Sequence, residues 1–344
     1  MRMRLKRVDF PLKHVFANSR REVNVVRAVI VELKQDDLCG YGEACEDAFY
    51  GTTVEDMYAR LDKCREKLDH YALADPIAFW QFMRTILADN PFVQSAVDCA
   101  ACDLWGKMKN RPLWKIWGLS RVNQPFSSYS IGLDSLERMA DRIAEVPDWH
   151  IYRIKLGCRY DIEILRMMRE KTSAPFHVDV NGGWTLQKAV EMIEPMKEFG
   201  VQLLEQPLNA FDFEGMAALK QEMKKKHCSI PVFADESWKT VKDIEKCAEV
   251  FDGINIKLSK CAGLTPVRDV IARVRELGLK AACANTTESV IGASAAAQIT
   301  PLLDYAGLDG PLHIDKKVGS GIRLDKGRIL YPDEGGCCVR YSFR

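Results

Sequence analysis

The sequence carries almost no excess charge of either sign: 49 basic and 48 acidic residues, spread along the chain, leave a formal net charge of +1. That balance gives no electrostatic footprint for nucleic acid or for a membrane surface, so neither is expected as a partner. Long hydrophobic runs are also missing. No stretch reaches the roughly 18 apolar residues that a membrane-spanning helix needs, and the opening MRMRLKRVDF has no apolar segment of signal-peptide length. A cytoplasmic enzyme is the expectation. A disulfide framework is absent as well, although there are twelve cysteines: they are scattered, and Cys247, Cys261 and Cys283 fall inside apolar runs. Cys99 and Cys102 have redox or zinc spacing, but they lie in the helical pattern AVDCAACDLWGK with no second pair at metal-binding distance. They read as small apolar side chains on a packed helix.

What is present is the composition of a soluble globular protein, with 47% hydrophobic and 28% charged residues. A chain of 344 residues exceeds the size at which one core stops growing, which predicts one large and one small unit. Residues 1–120 read as an α+β unit: VVRAVIVELK alternates like a strand, a turn-rich stretch spans Tyr41 to Thr53, and helices run from Val54 to Trp117. From Phe126 the rhythm changes to short apolar strands alternating with amphipathic helices, the mark of consecutive βαβ units. Eight candidate strands, SSYSI, YRIKL, FHVDV, VQLLE, PVFAD, INIKL, KAACA and YAGLD, are the number that closes a TIM-type barrel over residues 125–315. No clear helix follows the eighth; the turn-rich, strand-like residues 316–344 are expected to return to the first unit and complete it.

Barrel enzymes place their chemistry at the carboxyl ends of the strands. The third, fourth and fifth strands end in Asp179, Glu205 and Asp235. One such carboxylate is explained by capping of the next helix, but three in succession would converge and repel, which points to a hard divalent cation with oxygen ligands, Mg²⁺. Lys155 ends the second strand and Lys257 the sixth, so the metal-ligand strands lie between them and the two amines should face each other across the site. An ordinary lysine is protonated at neutral pH. The metal ion and Arg153, two residues before Lys155 on the same strand face, would disfavour the protonated form, and the same reasoning applies to Lys257.

The run RIKLG, VDVNGGW, LLEQPL, FADES and INIKLSKCAGL resembles the enolase superfamily, specifically its muconate-lactonizing subgroup, over nearly the whole chain. The resemblance implies an α+β capping domain over a (β/α)₇β barrel. It also implies one Mg²⁺ per subunit on Asp179, Glu205 and Asp235, with Lys155 and Lys257 as the acid/base pair. YAGLDGPLHI is similar to the eighth-strand segment of the dipeptide epimerases, which usually carries Asp-x-Asp for the dipeptide ammonium group; here the second Asp is Asp309 and the first position is Gly307. Arg153 stands where these epimerases usually have a lysine, keeping the charge without the capacity to act as a base. The implied reaction is epimerisation at the C-terminal residue of an L-Ala-D/L-Glu-type dipeptide, in a setting of cell-wall peptide recycling, by an enzyme that is often a homo-oligomer among its homologues.

Rivals with the same lysines are o-succinylbenzoate synthesis and N-acylamino acid racemisation; a rival of another class is a non-catalytic barrel that binds a small acid. Candidate specificity residues are Arg20 or Arg21 in FANSRREV, as a fork for a second carboxylate, and Tyr50 and Thr53 in the next loop, as pocket walls. Ser130 at the end of the first strand is a candidate for the substrate backbone. Glu288 after the seventh strand is placed either to support Lys257 or to cap the following helix.

Overall fold

The computed structural model describes residues 1–284, 287–316 and 318–343. The chain opens with three antiparallel strands, β1 (Arg2–Ala17), β2 (Glu22–Gln35) and β3 (Leu38–Cys45). The two residues between β2 and β3 include Asp36 in left-handed conformation (φ 52°), which a short polar side chain tolerates. Helices follow up to the long Pro91–Met108, whose start is capped by Asn90. This last helix is buried on nearly every side because it is packed between the cap sheet and the barrel. Its backbone lies so close to β3 that only glycine fits at two positions: a Cβ on Gly40 would stand 2.1 Å from the Ala100 carbonyl oxygen, and one on Gly42 1.9 Å from that of Ala96.

Eight parallel strands come next, each hydrogen-bonded to its neighbours in chain order: β4 (Tyr129–Ile131), β5 (Tyr152–Lys155), β6 (Phe176–Asp179), β7 (Val201–Glu205), β8 (Val232–Ala234), β9 (Gly253–Asn255), β10 (Lys280–Ala284) and β11 (Tyr305–Gly307). The ring closes where Ser127 bridges Ala306 and the Ser128 N–H donates to the Ala306 carbonyl at 2.9 Å. The architecture is the expected TIM-type barrel beneath an α+β cap. All eight strands read from the sequence are present. The helix expected over LQKAVEMIEPMKEFG is instead two, Leu186–Glu191 and Ile193–Glu198, because Pro195 has no N–H to give to Glu191 and its ring crowds that carbonyl.

After β11 comes a single helical turn, Gly310–His313, then a hairpin of β12 (Arg323–Asp325) and β13 (Arg328–Leu330). The hairpin lies against the start of β4, where the Ser127 N–H donates to the Gly327 carbonyl at 2.7 Å. The tail then reaches the cap: the Cys337 N–H donates to Asp103 at 2.8 Å and the Tyr341 ring meets Tyr41 edge-on. All twelve cysteines are free thiols, Cys99 and Cys102 among them on the buried helix. No helix among the described residues is long and apolar enough to cross a membrane.

Candidate active site

A closed parallel barrel presents all its strand carboxyl ends at one mouth. Lys155 on β5 is the register partner of Asp179 on β6, which pairs in turn with Glu205 on β7. Asp235 follows β8 directly, and Lys257, still extended, follows β9 and opens the short helix Leu258–Cys261. Asp179, Glu205, Asp235, Arg153 and Lys155 are all buried. Over them lies a cavity of about 310 Å³, walled by Ser130, Arg153, Lys155, Asp235, Lys257 and Asp309 from the barrel and by Arg20, Arg21 and Asp47 from the cap. Both lysines therefore border one cavity, with the carboxylate-bearing strands between them.

The carboxylates do not meet at a single point, as their spacing suggested. Arg153 bridges Asp179 and Glu205, at 2.8 Å from Glu205 Oε2, and the Lys155 amine donates to Asp179 and, at 2.9 Å, to Asn181 Oδ1. Lys257 and Lys260 hold the two oxygens of Asp235 at 2.7 and 2.6 Å. The result is two linked clusters, since buried carboxylates take the nearest cationic partners. Among the described residues no three acidic, histidine or cysteine side chains are gathered closely enough in this arrangement to hold a metal ion. The chemistry of the donor set still suits one. Three buried carboxylates on adjacent strands supply only oxygen, and burial, with Asp179 and Asp235 nearby, pushes Glu205 up to about 7. A hard divalent cation relieves that strain in the way oxygen-rich sites do.

The two lysines differ in their protein surroundings. Burial, then the neighbouring Arg153, holds the Lys155 amine below its usual range. Burial also acts on Lys257, but Asp235 2.7 Å away, with Tyr50 and Glu236, outweighs it and raises that amine instead. Arg153 is likewise raised, because Asp179 and Glu205 overcome its desolvation.

The cap loop after β1 is seated on the barrel mouth. Ser19 Oγ donates to the Val180 carbonyl at 2.7 Å, and a Cβ on either Gly157 or Gly183 would come within 2.7 Å of Ser19 Cβ. Arg20 pairs with Glu236 at 2.5 Å and lies over the Phe49 ring; Arg21 pairs with Asp47 at 3.4 Å. Ser130 borders the cavity and donates its N–H to Asp309 at 2.5 Å. Tyr50 stands outside the cavity lining, packed on Phe49 and Phe92, with its buried hydroxyl unpaired among the described residues. Thr53 caps the helix Val54–Asp62 by accepting the Asp56 N–H, and it does not line the main cavity. Glu288 also lies away from the main cavity, against Gly292 at the contact between cap and barrel. The helix Val290–Ala297 is capped by Ser289 and by Glu43 from the cap sheet.

The sequence reading missed Lys260, Asn181, Glu236 and His313, which lie in loops or single helical turns past the strand ends. Lys260 had a signal in its spacing: three residues after Lys257, it falls one helical turn on.

Residues 136–342 match the family model "Enolase C-terminal domain-like", and residues 3–118 match "Mandelate racemase / muconate lactonizing enzyme, N-terminal domain". The chain is 37% identical over 340 residues to an L-Ala-D/L-amino acid epimerase of Maribacter sp., covering 98% of this chain and 99% of that one. It is 32% identical to an L-Ala-D/L-Glu epimerase of Bacteroides thetaiotaomicron, with 98% and 88% covered. In fold it matches the dipeptide epimerase from Cytophaga hutchinsonii complexed with Mg and D-Ala-L-Val, with a TM-score of 0.90, 24% identity, and 99% and 95% of the two chains covered. Fold and site together define a barrel enzyme of the enolase type with a separate cap. The chain belongs to the mandelate racemase / muconate lactonizing enzyme family of that superfamily, and it is an isomerase.

Proposed function

We propose that the protein is a Mg²⁺-dependent epimerase that inverts the α-carbon of the C-terminal residue in an L-Ala-D/L-Glu-type dipeptide. The observation that carries this reading is the placement of Lys155 and Lys257 on one cavity, on either side of the strands that bear Asp179, Glu205 and Asp235. An α-carbon held between them has one amine on each face. One lysine takes the α-proton, the C–H electron pair moves into the adjacent carboxylate, and the ammonium of the other lysine returns a proton from the opposite side. Asp179, Glu205 and Asp235 would hold Mg²⁺, which supplies positive charge opposite the substrate carboxylate.

Arg153 adds fixed positive charge at the same end without competing as a base. Arg20 and Arg21 line the cap side of the cavity and suit a second carboxylate such as a glutamate side chain. Asp309 lies on the barrel wall and suits the dipeptide ammonium. The named relatives, epimerases of L-Ala-containing dipeptides, support the same substrate class.

The test is a panel of dipeptides in D₂O, with deuterium at the α-carbon followed by NMR. Exchange at the C-terminal residue, lost with EDTA and restored by Mg²⁺, is the expected result. Absence of exchange with every dipeptide removes the reading, and exchange confined to N-acylated amino acids transfers it to the racemase alternative.

A further inference from the structure

Most acidic groups around the cavity already have a cationic side chain of the protein. Asp235 has Lys257 and Lys260, Asp47 has Arg21, and Glu46 has Arg27. Asp309 differs: it is buried on the cavity wall, its ion-pair partner is the imidazole of His313, and among the described residues no lysine or arginine lies within ion-pair distance of it. Its Oδ2 accepts the Ser130 N–H at 2.5 Å and faces His313 Nε2 at 2.8 Å, while among the described residues Oδ1 has only a long 3.4 Å contact from Ser130 Oγ. His313 engages one carboxylate oxygen of Asp309 through Nε2 and makes no bond to the other.

His313 is itself fixed. It sits one helical turn after Asp309, its ring 5.0 Å from Tyr129 and edge-on to Phe16 at 5.4 Å, and it borders the cavity. Among the described residues no second carboxylate joins Asp309 on this wall. At Gly307, the facing position on β11, even a Cβ would come within 3.1 Å of Ser128 Oγ and 3.2 Å of Ala284 Cβ. The negative charge at this end of the cavity therefore rests in one carboxylate, and His313 fixes its direction.

We propose that His313 is a positioning residue that sets preference for a free N-terminal amine: by engaging Asp309 Oδ2 alongside Ser130, it leaves Oδ1 to meet the substrate ammonium. This rests on the epimerase reading above. His313→Phe keeps the ring between Tyr129 and Phe16 and removes the donor; His313→Gln keeps a donor. The Mg²⁺-loaded enzymes are compared on L-Ala-L-Glu by KM and kcat, and by calorimetric Kd for L-Ala-L-Glu and its N-acetyl derivative. Loss of one hydrogen bond to a charged group predicts that His313→Phe raises KM and Kd for the free amine about tenfold, with kcat within about twofold. The N-acetyl Kd stays unchanged, and His313→Gln restores most of the loss.

Equal weakening of both ligands, or an unaltered free-amine Kd in His313→Phe, overturns the proposal. If the wild-type enzyme exchanges no dipeptide, the epimerase reading fails by itself. The calorimetric comparison then still decides whether His313 gives this cavity its selectivity for an amine.

Discussion

At the scale of single residues, each proposed acid/base lysine shares its carboxylate with another cation. Asp179 is held by Lys155 and Arg153, and Asp235 by Lys257 and Lys260. Removing either lysine therefore leaves no buried carboxylate unpaired, and Lys155→Ala and Lys257→Ala should both fold. Each should lose at least about 10³-fold in epimerisation, the upper range of what one positioned acid or base contributes. A sharper result separates the two: deuterium should still enter the α-position from a single stereoisomer, and the stereoisomer should be opposite for the two variants. Epimerisation at the wild-type rate in either variant would rule out a proton relay between two amines. These lysines were legible because a strand's last inward residue is marked by where its apolar run stops. The side chains that surround Lys257 were not, since Asp235, Tyr50 and Glu236 approach it from other elements.

At the scale of elements, strands and helices followed from alternation and amphipathicity, while the joints between cap and barrel did not. One such joint is the N-terminus of the helix Leu264–Glu276, which has no capping side chain of its own. Asp98, from the long cap helix, serves it from outside, accepting the Thr265 N–H at 2.8 Å and the Thr265 hydroxyl at 2.6 Å. Nothing in the sequence around Asp98 or Thr265 connects two positions 167 residues apart. Full burial pushes the Asp98 carboxyl from its ordinary 3.8 up to about 7, against the hydrogen bonds from Thr265. The folded state thus keeps a proton that the unfolded chain releases across this interval. The associated stability is complete below about pH 4 and is lost as pH rises through about 7, with a slope of at most ~1.4 kcal/mol per pH unit. Asp98→Asn cannot ionise and should lack that slope. Urea unfolding of both proteins from pH 5 to 8 should show the wild type falling relative to the variant; parallel curves would mean that Asp98 is ionised throughout.

At the scale of the whole molecule, the sequence indicated that the tail returns to the cap, but not what fastens it there. The fastening is a charge pair between the half-buried Lys107 and the fully buried Asp103. Lys107, near the end of the long cap helix, donates to Asp103 one turn earlier at 2.7 Å, to the Cys39 carbonyl on β3 at 2.9 Å and to the Val339 carbonyl at 2.8 Å. Asp103 in turn accepts the backbone N–H groups of Tyr41 and Cys337 at 2.9 and 2.8 Å. One ion pair thus joins the cap sheet, the cap helix and the last residues of the chain. Replacing one member of a buried pair strands the other charge, a loss of ~3–5 kcal/mol. Lys107→Met keeps the length and most of the apolar stem, so its loss should come from the unpaired Asp103 carboxylate and not from a void. Adding Asp103→Asn removes that charge, and the double variant should recover more than half of the deficit. Urea midpoints of the wild type, the single variant and the double variant decide it. A single variant within about 1 kcal/mol of the wild type, well short of the buried-pair range, would show that the tail is held by its apolar contacts alone. A double variant no better than the single would show that the amine's bonds to the two carbonyls, and not its charge, hold cap and tail together.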